Sequence, residues 1–172
     1  ICPSRGLGDV YKRQDLEIDY NNREGDRNLI KQVENISTVS QIVEFSTMIS
    51  TIEKKQNKTS FTRIKAIDQN YPLYGDVIFE PVGSLKKLNE IDNTILVNEN
   101  IFKNLNLKIN DIVKVQNIKF KVIGVVKVLP DIGGAFVFGD FALTGKKTLD
   151  KLELNTLGSF LNLMITKIKI TK

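Results

Sequence analysis

Apolar positions along the chain recur every second residue in some stretches and every third or fourth in others, and polar breaks separate the two rhythms. Asp15 to Tyr20 alternates Leu16, Ile18 and Tyr20 with acids, which predicts a short strand. After a polar turn, Asp26 is placed to cap a helix whose stripe is Leu29, Val33 and Ile36. Val39 to Thr51 predicts a second strand with Val43 and Phe45 on one face, although Ile42 breaks strict alternation. Glu53 to Ser60 is a charged hairpin tip, and Phe61 to Asp68 returns as a half-buried strand with Ile64 and Ala66 inward. In Tyr71-Pro72-Leu73-Tyr74-Gly75, proline fixes φ and glycine tolerates positive φ, so the chain turns there. Asp76 to Glu80 predicts another strand, closed by Pro81 and Gly83.

The second half is read the same way. Ser84 to Asn93 is a polar linker or weak helix, and Thr94 to Val97 a short strand. Asn98 caps a short helix that turns Ile101, Phe102 and Leu105 inward. Asn110-Asp111 is a turn pair in which Asn tolerates the left-handed conformation. Val113 and Val115 pair across Gln116-Asn117 with Ile118, Phe120 and Val122, leaving Lys114, Lys119 and Lys121 in water. Gly124 interrupts the run and predicts a bulge or a close backbone approach. Pro130 to Gly134 is a loop, Ala135 to Phe138 a strand or extended apolar lip, and Lys147 to Leu154 a short helix. An alternating stretch through Leu161, Leu163, Ile165, Ile168 and Ile170 ends the chain. Strands and helices mix without regular βαβ alternation. The expected fold is therefore α+β: a mixed or antiparallel sheet lobe with flanking helices, plus a small β-hairpin or barrel-like lobe at about residues 94–140.

Composition removes most chemistry. The 172 residues contain no histidine and one cysteine, Cys2. Zinc sites built on His and Cys, Ser-His-Asp triads, Cys-His dyads and internal disulfides are excluded, and no cofactor is expected. The net charge of +5 is scattered among Asn and Ile, with no basic stripe or nucleic-acid module, so nucleic acid is not expected as a partner. The longest apolar runs, Val122 to Val126 and Gly133 to Gly139, fall far short of the ~20 residues of a membrane span. Ile1 to Gln14 lacks the Asn/Lys/Ile texture of the rest. It resembles translated sequencing adapter and is set aside as a non-native or disordered leader, leaving 15–172 as the domain.

The candidate sites are few. Gly133-Gly134 and Gly139 lack the spacing and lysine of a phosphate loop. Asp68, Asp76, Glu80, Asp131 and Asp140 fit turns and strand ends better than an acid–base pair. Ser84 has nearby lysines but no apolar setting to activate one. Tyr71, Leu73, Tyr74, Phe136 and Phe138 read either as core packing or as an apolar lip that meets a lipid-like molecule or a partner.

Three segments in order resemble the first periplasmic domain of YbbP-like permeases, a branch of the MacB/FtsX superfamily of ABC transporters. They are Lys65 to Asp68 leading into Tyr71 to Gly75, Leu105 to Val115, and Pro130-Asp131 through Gly133 to Phe136. The family usually has Gly where Asn110 stands, and its pattern fades beyond Gly158-Ser159. The resemblance implies a non-catalytic periplasmic domain of an inner-membrane permease. It implies a cytoplasmic ATPase subunit, a periplasmic lysophospholipase/esterase partner, and export or extraction of hydrophobic or lipid-like compounds. The alternative is a free-standing soluble binding module for lipid, peptide or anionic polymer.

Overall fold

Strand β2 (Thr38–Thr51) is fourteen residues long and belongs to two parts of the sheet at once. In a computed structural model, which describes residues 16–21, 27–52, 57–130, 139–151 and 165–171, one edge of β2 pairs with β3 (Thr59–Ile67). Its other edge is divided: residues 38–44 pair with β9 (Ile165–Thr171), and residues 49–51 with β6 (Ile112–Val115). β1 (Leu16–Asn21) lies antiparallel on the far side of β9.

From β3 the sheet continues through β8 (Phe141–Gly145), β5 (Thr94–Asn98) and β7 (Ile118–Val128), and β7 pairs with β6. Because β6 also pairs with β2, the six strands β2, β3, β8, β5, β7 and β6 form a closed ring, a small barrel with no free edge. Pairs β3/β8 and β5/β7 are parallel and the others antiparallel, giving the mixed sheet of an α+β fold. The barrel-like part expected from the hairpin is present, built with β2, β3 and β8 as well. β4 (Ile78–Glu80) is shorter than its apolar run suggested and hangs on the second half of β7.

Alternation explains the barrel interior. Val43, Phe45 and Ile49 of β2 meet Ile64, Ala66, Ile95, Val97, Val113, Val115, Phe120, Val122 and Ala142 from the other five strands. Ile101 and Leu105, from α3 (Glu99–Asn104) and its end, join them with Leu149 of α4 (Lys146–Lys151). Each buried Val, Ile, Leu or Phe among them contributes about 1.5–3 kcal/mol by leaving water. The opposite faces of several of the same strands are buried too: Ile42, Ile67, Leu96, Leu143 and Val126 form a second core under Leu88, Tyr71, Val77 and Leu129. Ile42 therefore breaks the alternation because β2 is covered on both sides. For the same reason β3 is not half-buried as expected; Lys65 and Ile67 are inside as well as Ile64 and Ala66.

Local signals fix several boundaries. Asn98 caps α3, its side chain accepting from Ile101 N at 3.0 Å. Asn110 takes φ 77°, the left-handed turn expected of it. The polar segment after Gly83 is the helix α2 (Ser84–Glu90), held to the second core by Leu88. Gly124 meets both expectations: the β5/β7 register skips there, and a Cβ would collide with Glu80 O and lie 2.8 Å from Leu96 Cδ2. In α1 (Arg27–Glu34) the stripe differs from that expected. Ile36 lies beyond the helix end and is exposed, while Ile30 packs on Val39 beside Leu29 and Val33, because the chain turns at Val33 O into β2.

Candidate functional site

The Tyr-Pro corner leaves the end of β3 through Asp68, which acts as a structural pin. The carboxylate of Asp68 accepts from Ser40 Oγ at 2.8 Å, Gln41 N at 2.6 Å and Asn70 N at 3.1 Å. Its carbonyl accepts from Asn89 Nδ2 of α2 at 3.1 Å, and Asn70 Nδ2 donates to Val39 O at 2.7 Å. One residue thus joins β2, β3 and α2. Burial pushes the Asp68 carboxyl above the usual aspartate range, against the lowering effect of its donors and of the Lys146 charge.

Beyond the pin, the two tyrosines separate. Tyr71 is 5% exposed and belongs to the second core, with the Lys65 ammonium 5.5 Å from its ring centroid. Lys65 in turn pairs with Glu44 at 3.2 Å. Pro72 and Leu73 are half-buried, and Tyr74 is 37% exposed at the apex. Gly75 takes φ 73°, and a Cβ there would stand 2.6 Å from Pro130 Cβ. Glycine is required for both reasons. That contact brings the corner against Pro130, where the loop begins, and Leu129 packs in the same core as Tyr71. Of the five expected lip residues, Tyr71 is core, Leu73 is half-buried and Tyr74 reaches the surface; Phe136 and Phe138 lie outside the described residues.

An apolar pair that the strand pattern did not single out lies nearby in sequence. Ile78 of β4 stands opposite Val128 of β7 outside the ring, and both are exposed.

The remaining candidates have structural partners. Glu80 pairs with Lys127, Asp140 accepts from Ser60 Oγ at 2.6 Å, and buried Ser84 donates to Pro81 O at 2.7 Å. Asp76 is exposed, and Asp131 with Gly133-Gly134 falls outside the described residues. Among the described residues no three His, Cys, Asp or Glu side chains gather to hold a metal ion, and no helix is long and apolar enough to cross a membrane.

The family model of the MacB-like periplasmic core domain matches residues 4–167. The chain belongs to that family. Solved structures carry the same fold as this MacB-like domain. The periplasmic region of MacB from Actinobacillus actinomycetemcomitans superposes with a TM-score of 0.53 at 18% identity, over 97% of this chain and 71% of that one. The extracellular domain of the noncanonic ABC-type transporter YknZ from Gram-positive bacteria gives 0.53 at 10% identity, over 84% and 71%. A domain of a putative permease protein from Porphyromonas gingivalis gives 0.54 at 12%, over 86% and 62%. No curated protein matches the chain. The MacB-like domain is the periplasmic part of an ABC-type transporter permease in the inner membrane, and membership of that permease family implies a cytoplasmic ATPase subunit as partner.

Proposed function

We propose that this domain is a passive relay in a YbbP-like permease. It couples ATP-driven movement of the membrane helices to export or extraction of hydrophobic, lipid-like compounds, together with a periplasmic lysophospholipase/esterase. One observation carries the reading. Leu16 of β1 pairs with Ile170 of β9, so the first and last strands are hydrogen-bonded neighbours, and β9 rests directly on β2. Force applied at these two strands enters side by side and passes along β2 into the closed barrel without crossing a linker. The double burial of β2 and β3 supports this, since packed cores shift as units and do not deform continuously. The resemblance to YbbP-like permeases supports the lipid-like cargo and the esterase, and Tyr74 at the corner is the contact assigned to them.

The test uses the permease that carries this domain, reconstituted with its ATPase in liposomes. A spin label at Tyr74→Cys is expected to change its depth relative to the bilayer between nucleotide-free and ATP-trapped states. A fluorescent lysophospholipid is expected to leave the membrane only when ATP turns over. Export that continues while the label stays fixed rejects the relay. Failure of the purified esterase to bind the domain removes that partner alone.

A further inference from the structure

The outer face of the β6–β7 hairpin sets two lysines directly against each other. Lys114 pairs in register with Lys119, and Lys121 lies two residues on, opposite Ile112. All three are exposed, while Val113, Val115, Phe120 and Val122 between them point into the barrel. Like charges opposite each other on one face of an antiparallel pair oppose the pairing. Among the described residues none of the three forms an ion pair. The surrounding chain offers little relief: from Glu99 to Lys121 there are five lysines and two acids, and Glu99 is already engaged by Lys103.

The lysine row continues onto an apolar pair. Lys114 stands opposite Ser50 of β2, whose hydroxyl donates to Lys114 O at 3.3 Å. Two residues back along β2, on the same face, Met48 pairs with Phe61 of β3. Both are exposed, Phe61 by 66%. Strands β3, β2, β6 and β7 thus present one continuous outward face with a methionine–phenylalanine centre and a lysine border.

We propose that this face docks an acidic protein partner in the extracytoplasmic space. Phe61 and Met48 fill an apolar pocket on that partner, and Lys114, Lys119 and Lys121 meet its carboxylates. The proposal rests on the periplasmic placement of the domain and is independent of the cargo and of the Tyr-Pro corner. Exposed aromatic and methionine side chains bordered on one side by charge suit a protein interface. A bare polyanion would satisfy the lysines and leave Phe61 in water.

The full chain tests this against four probes by titration calorimetry and co-sedimentation. They are a peptide of about twelve alternating glutamates and leucines, its lysine-for-glutamate counterpart, inorganic polyphosphate, and phosphatidylglycerol vesicles. The acidic peptide is expected to bind, more weakly as salt is raised, and its counterpart not to bind. Lys114→Glu with Lys119→Glu is expected to weaken the acidic peptide by about tenfold or more. Phe61→Ser weakens it too. All these side chains are exposed, and an undiminished Tm confirms folding of each variant. Absence of peptide binding at low salt, or binding indifferent to the double variant, overturns the proposal. Polyphosphate bound as tightly and indifferent to Phe61→Ser makes the face a polyanion site, and preferred binding to vesicles makes it a lipid surface; either result overturns it as well.

Discussion

Lys65 of β3 and Glu44 of β2 stand in register and form a 3.2 Å ion pair with side chains only 10% and 11% exposed. The pair lies inside the sheet, and the Tyr71 ring faces the same ammonium. Taking both charges out of water is expensive, so the pair holds only while each partner is present. Lys65→Met alone is expected to lower stability by about 3–5 kcal/mol in urea unfolding, because the buried Glu44 carboxylate loses its cation, and Glu44→Leu alone is expected to destabilise as well. The double variant is expected to recover most of that loss, since two apolar side chains suit the buried position. Additive losses would show that the two residues act separately.

Asp68 supplies a pH dependence of unusual sign. Burial raises its folded pKa above the ordinary aspartate range, although Ser40, Gln41 and Asn70 donate to the carboxylate and Lys146 adds positive charge. The folded chain therefore holds this proton at higher pH than the unfolded chain does. Its contribution to stability is fully present below the unfolded pKa and is lost as pH rises through the folded one. Relative to Asp68→Asn, the wild-type chain is expected to lose stability as pH climbs from the ordinary aspartate range through the raised value, and to level off above it. Chemical denaturation of both chains across that interval measures it; a difference that grows with pH would reverse the assignment.

The parts legible in the sequence were those decided locally. The Asn98 cap, the left-handed Asn110 and the hairpin across Gln116-Asn117 each depend on residues a few positions apart. Ring closure was not legible, because it needs β6 to find the far end of β2, more than sixty residues earlier. The placement of β9 between β1 and β2 was equally hidden, since an alternating stretch does not name its neighbours. Lys65 looked like a solvent-facing position because its partner Glu44 lies on another strand. Ile42 was the one visible hint that these strands are covered on both faces. At the site, two tyrosines three positions apart looked alike, and only packing distinguishes them.

Gly124 tests the double packing at a single atom. The position sits where β7 passes β5, and any side chain would run into Glu80 O and approach Leu96 Cδ2 at 2.8 Å and Ser84 Oγ at 3.1 Å. Backbone atoms of a paired segment cannot step aside without parting β4 or β5 from β7. Gly124→Ala is expected to cost about 1–3 kcal/mol as an overpacked site, read as a lowered Tm. A neutral substitution would mean that the strands are looser than their register requires.

The two tyrosines of the corner are expected to part in the same way under mutation. Tyr71 is buried with Leu129 and Val77 in the second core and faces the Lys65 ammonium, so Tyr71→Ala removes packing and uncovers a charged pair together. A loss of about 3–5 kcal/mol is expected. Tyr74 is 37% exposed at the apex, and Tyr74→Ala is expected to cost about 1 kcal/mol or less. If the corner is where cargo or esterase is met, that near-neutral variant still lowers ATP-dependent release of a fluorescent lysophospholipid in the reconstituted permease. Unfolding by Tyr74→Ala would make the apex part of the core. Unchanged release in a folded Tyr74→Ala chain would move the contact away from the corner.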